Sequence, residues 1–134
     1  MKSVDPAKAN HHFRRAEVFF ASIRLLLSDR DYAAAVPLLA VHGAISLTDA
    51  VLIKYSRKRS SDQDHRTVAK YLRNLCHSKN VSNDGVRRLE SLLERKTDYA
   101  YGDNVLTLDE VKLAATNATR YQTWIYTTFP DVAH

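Results

Sequence analysis

The sequence predicts an all-α fold. Apolar residues recur at three- and four-residue spacing over long segments, and no segment of useful length alternates with a strand period. Only three Gly and three Pro interrupt 134 residues, so breaks and tight turns are few. Short connections between long helices favour antiparallel neighbours in a bundle. The length fits a single domain, residues 1–134, with enough chain to bury a core.

Asp5-Pro6 is a helix-start signal. Phe13, Ala16, Phe20, Ile23 and Leu27 then recur at helical spacing, with Arg14, Arg15, Glu17 and Arg24 on the other side. They predict an amphipathic helix of about five turns. Ser28 to Asp31 is a polar break. A second helix is expected from about Tyr32 to Ser56, where Pro37 either bends it or marks its first turn. His42 and Asp49 fall on its inward stripe, and Gly43 allows a close neighbour. Arg57 to Asp64 reads as a polar loop. Asp64 would cap a third helix that carries Val68, Leu72 and Leu75 inward. Ser82, Asn83 or Asp84 would cap a fourth, with Gly85 in its first turn and Val86, Leu89 and Leu93 inward. Tyr99 to Asn104 reads as a loop. Thr107 and Glu110 form a capping-box pattern that opens a last helix, with Val111, Ala114, Ala118, Tyr121 and Ile125 inward and Phe129-Pro130 at its end.

Cys76 is the single cysteine, which rules out an intrachain disulfide and makes a reducing cytoplasm the natural compartment. No signal-peptide pattern opens the chain, and no apolar run reads as long enough to span a bilayer. The net charge of +5 is unevenly spread. From Lys54 to Arg88 there are ten Lys/Arg against three Asp, a local +7, so the remainder carries −2. A basic middle on a slightly acidic frame fits a phosphate-binding footprint, and it equally fits a solvated basic face. The functional expectation is that these cations gather in one concavity. Its basic members are Lys54, Arg57, Lys58, Arg66 and Arg73.

Arg59 and His65 bracket the turn after the second helix. An Arg fork binds a phosphate, and a His moves a proton at neutral pH. The pair would suffice for metal-free RNA cleavage, with His65 activating a 2′-hydroxyl and Arg59 stabilising the phosphorane. The same spacing is met by a His that merely faces solvent at a helix start. Arg73 and His77 lie one turn apart and can share a face. Arg95, Asp98 and Tyr99 end the fourth helix. They make either a structural clamp through Asp98 or a phosphate donor beside a stacking ring. Trp124 and Tyr126 are assigned to the core or to a dimer face. His11 and His12 are expected at the surface, and as neighbours on one helix they point apart. No zinc spacing and no Gly-rich phosphate loop occurs, so neither a metal nor a cofactor is expected.

The segments DYAAAVPLLAVHGAISLTDAVLIKYS, DHRTVAKYL, LERKTDYAYG and LTLDEVKLAATNATRYQTWI, in that order, resemble the HEPN superfamily from about Ala9 to Tyr126. The likeness is strongest to small stand-alone members with an R-x-x-D-Y segment before the last helix. It implies an antiparallel four-helix bundle with an additional short helix, often a homodimer. It also implies RNA or nucleotide association in a toxin–antitoxin or defence-type pair beside a nucleotidyltransferase-type partner, without a membrane. Active members carry an Arg, four to six residues and a His, a spacing that Arg59 and His65 satisfy. In the family that signature lies late in the bundle, whereas here it falls between the second and third helices. Three readings therefore stand: a binding module, a metal-independent endoribonuclease and a non-catalytic structural dimer.

Overall fold

The computed structural model describes residues 2–59 and 65–133, with the side chains of Lys2, Ser3, Arg59, His65 and Arg66 outside the described set. The chain is all-α. Its helices are α1 (Ala9–Leu26), α2 (Val36–Ser56), α3 (His65–Ser78), α4 (Val86–Glu94), α5 (Lys96–Tyr101) and α6 (Leu108–Thr128). Short 3-10 turns cover Pro6–Lys8, Ala33–Ala35 and Pro130–Ala133. One two-residue antiparallel pairing joins β1 (Lys2–Ser3) to β2 (Lys58–Arg59).

The centre is α2, which meets α1, α3, α4, α5 and α6. It is buried on most of its circumference, from Val36 and Ala40 through Leu47 and Val51 to Ile53. Together with the turn before it, Ala33–Ser56 has the length and mean hydropathy, 1.8, of a membrane-crossing helix, contrary to the sequence expectation, and 78% of its apolar window is buried inside the protein. A helix apolar all round is a core helix when other helices cover it.

Pro37 lies in the first turn of α2, where its missing N–H has no carbonyl to meet, so the helix starts at Val36 and the Pro causes no interior bend. α2 ends on Arg57 in left-handed backbone (φ 58°), whose N–H donates to Ile53 O and Leu52 O. α1 runs antiparallel to α2: Val4 N–H donates to Arg57 O at 2.8 Å, and Phe19 and Phe20 sit against Gly43. A β-carbon at Gly43 would lie 3.3 Å from both phenylalanines, so the glycine sets how closely the helices approach. α6 runs parallel to α2, since Thr48 meets Tyr121 and Tyr55 meets Phe129. α4 runs antiparallel to α6, since Gly85 meets Trp124 and Arg88 meets Asn117.

The inward stripes predicted for α1, α3 and α6 are buried at Phe13, Ala16, Phe20 and Ile23, at Val68, Leu72 and Leu75, and at Val111, Ala114, Ala118, Tyr121 and Ile125. Thr107 caps α6 through the reciprocal capping box with Glu110. Two local expectations are corrected. The N-cap of α4 is Gly85, and none of Ser82, Asn83 or Asp84 caps it with a side chain. The indole of Trp124 takes the space that a side chain at Gly85 would need. Of the loop expected from Tyr99 to Asn104, Tyr99 to Tyr101 belong to α5, which ends where Gly102 N–H donates to Asp98 O at 2.9 Å, and Gly102 to Asn104 are non-helical. The cap assigned to Asp64 lies outside the described residues.

Thr48 and Tyr121 are both fully buried. Thr48 has one hydroxyl proton, which goes to Ala44 O at 2.7 Å. The Tyr121 hydroxyl, 2.5 Å away, must then donate to Thr48 Oγ1. Burial pushes the Tyr121 phenol well above its ordinary range, with the Thr48 hydrogen bond opposing.

Tyr121→Phe is expected to cost about 0.5–1.5 kcal/mol, the net worth of one hydrogen bond. Thr48→Val strands a buried phenol and is expected to cost more, about 1–3 kcal/mol. Urea midpoints of the two variants check the order. Gly85→Ala drives a methyl into the indole and is expected to lose about 1–3 kcal/mol, read by the same denaturation.

Candidate functional site

The C-terminal end of α2 carries the cations singled out in the sequence. Lys54, half-buried, donates from Nζ to the Asp131 backbone carbonyl. Arg57 is exposed at the helix end. Lys58 Nζ stands 5.8 Å from the ring centre of Tyr71 on α3. Lys79, just past α3, places Nζ 5.2 Å from the ring centre of Tyr55 on α2. The middle and the end of α3 are thus both tied to the C-terminal end of α2. Each half-buried tyrosine there carries a lysine over its face, a contact worth about 0.5–1 kcal/mol at an exposed site. Burial raises the Tyr55 phenol, and the negative charge of Asp131 adds to it.

Arg59 enters this end through β2, paired with Lys2, and His65 opens α3. The side chains of Arg59, His65 and Arg66 lie outside the described residues.

The other cations do not join them. Arg73 donates both terminal nitrogens to Glu90 on α4, at 2.8 and 2.6 Å. Its fork is spent on a carboxylate, and no Arg73–His77 couple forms, with His77 exposed. Arg95 donates to Glu110 at 3.2 Å and lies 5.8 Å from the ring centre of Tyr99. The clamp expected through Asp98 is thus made through Glu110, which reaches back from the first turn of α6 where it also caps Thr107. Asp98 is exposed and gives its backbone carbonyl to Gly102. Burial raises the Tyr99 phenol, partly opposed by the charge of Arg95. Arg87 and Arg88 line a cleft with Trp124. The cations expected in a single concavity are thus divided among tyrosine rings, carboxylates and this cleft.

Several polar residues are structural. His42 is half-buried and stacks on Phe19 at 5.9 Å. Burial, and the charge of Lys96, hold its imidazole below the ordinary range. Asp49 is buried on the inward stripe. His12, expected at the surface, is buried (5% exposed), whereas His11 is exposed and bonded to Arg15 at 2.9 Å. Burial pushes the Cys76 thiol up. Among the described residues no group of three or more His, Cys, Asp or Glu comes together to hold a metal ion.

The tyrosine–lysine pairs were missed in the sequence, because Tyr55 and Tyr71 read as ordinary helix residues and only tertiary contact puts Lys79 on Tyr55. No protein-family model and no curated protein matches the chain.

Arg73 holds the Glu90 carboxyl below its usual range, with burial opposing. A depressed carboxylate stabilises the fold above its unfolded value near 4.5, and the gain is lost as pH falls through the lower native value. Both side chains are more than a third exposed, so the pair contributes only about 0–1 kcal/mol. Glu90→Gln is expected to be the less stable protein at neutral pH and to converge with the parent in acid, followed by urea midpoints across pH.

Proposed function

We propose that the chain is a HEPN-like bundle that associates with RNA or nucleotide through the basic end of α2 and acts as a binding component. On this reading α1, α2, α6 and the α3–α4 pair make the four-helix arrangement, and α5 is the additional short helix. The observation that carries the reading is the pair of surface tyrosines under lysines. Lys58 on Tyr71 and Lys79 on Tyr55, with Arg57 exposed at the same helix end, gather cations and half-buried rings at one place, the combination of residue types that sequence-tolerant single-strand surfaces use. The wider reading follows the resemblance: a cytoplasmic toxin–antitoxin or defence-type protein, a homodimer, with a nucleotidyltransferase-type partner.

A second reading keeps the endoribonuclease. It is favoured by the pairing of β2 with β1, which fixes the backbone at Arg59 six positions ahead of the first residue of α3, His65. Incubation with RNA in chelator separates the two: cleavage that is lost in His65→Ala supports the enzyme, and binding without cleavage supports the module.

The binding module is expected to bind single-stranded RNA with an affinity that falls steeply as salt rises. The Lys58→Glu/Lys79→Glu double variant should weaken binding on every sequence and reduce the slope of log K against log salt by about 2, measured by fluorescence anisotropy. An unchanged slope would refute the assignment of this face.

A further inference from the structure

A cleft of about 420 Å³ lies between the start of α4 and the C-terminal half of α6, lined by none of the residues assigned to the α2 end. Its volume is within the roughly 300–1,000 Å³ range of small-ligand sites. One wall is the indole of Trp124, held in place by Gly85 beneath it, by Tyr121 at 5.8 Å and by the edge of Phe129 at 6.2 Å. Arg88, one helical turn along α4 from Gly85, also lines the cleft, and its Nη1 is anchored on Asn117 Oδ1 at 3.0 Å. That bond uses one of five guanidinium N–H donors and leaves the rest for a ligand. Exposed Arg87 and the Ser91 hydroxyl complete the polar side. Neither arginine forms an ion pair among the described residues, whereas Arg73 and Arg95 both do. Asp84 also lines the cleft, so the charge there is two arginines against one aspartate.

We infer that this cleft binds a nucleoside monophosphate, its ring against Trp124 and its phosphate on Arg88 and Arg87. The placement follows from the chemistry gathered in one lining. A planar apolar surface and a pre-anchored fork select a ligand that is aromatic at one end and anionic at the other. Asn117 and Ser91, in the same lining, suit hydroxyl and amide groups of a nucleoside. The small excess of positive charge, offset by Asp84, favours one phosphate over three. The inference shares a class of ligand with the functional reading above and rests on it for nothing else, since the residues are different.

Trp124 is the only tryptophan, so the protein's indole fluorescence comes from a residue that lines this cleft. Titration of the full chain with AMP is expected to give a saturable change that adenosine and inorganic phosphate do not give at the same concentration, with ATP binding no tighter than AMP. Arg88→Gln should weaken the AMP response about tenfold or more, the loss of one charged hydrogen bond. Ser91→Phe, an exposed position, should abolish it by filling the cleft while circular dichroism stays unchanged. The Lys58→Glu/Lys79→Glu variant should keep the response intact even where RNA binding is lost. No saturable change with AMP, a response that survives Arg88→Gln and Ser91→Phe, or one removed by Lys58→Glu/Lys79→Glu would each overturn the assignment.

Discussion

A helix that is apolar around most of its circumference has to be covered around most of its circumference, and α2 is such a helix. Each fully buried Leu, Ile or Val along it is worth about 1.5–3 kcal/mol, so the chain gains by wrapping it. α1 covers one side at the close distance that Gly43 permits, α6 another, and the shorter helices fill the remainder. The requirement also explains the one polar link at the centre. Thr48 is a hydroxyl on a helix that offers it no solvent, and the Tyr121 phenol both covers and satisfies it.

The covering helices are amphipathic, and their outer faces decide the surface. Charge that looks continuous along the sequence is divided by the way α3 and α4 are laid on the core. Arg73 faces α4 and finds Glu90. Arg95 faces α6 and finds Glu110. The lysines at the end of α2 and just past α3 meet tyrosines, and Arg87 and Arg88 meet Trp124. A cation beside a carboxylate is a structural bond with little left for a ligand, whereas a cation beside a ring keeps most of its hydrogen-bonding capacity. The division of labour among the basic residues is therefore set by their partners rather than by their position in the charge run.

The helices and their inward faces were readable in the sequence because periodicity reports burial directly, as at Phe13–Phe20 and Val111–Ile125. The capping box at Thr107 was readable because both of its members are local. What could not be read depends on contacts between distant residues. Gly85 looked like a first-turn residue, and only the indole of Trp124 explains its lack of a side chain. Asp98 looked like the partner of Arg95 because it is near in sequence, but Glu110 is better placed across the link to α6. His12 looked exposed because histidine pairs near a terminus usually are, yet it falls on the buried side of α1. The cations were read as one set because sequence order does not say which helix face a cation shares with which ring or carboxylate.

The pairing of β1 with β2 closes α1, α2 and their connection into a ring of backbone, with Lys2 on Arg59 and Val4 on Arg57. The start of the chain and the backbone just past α2 are therefore joined. Anything fused ahead of Lys2, such as an affinity tag, would pull on the backbone at Lys58 and Arg59.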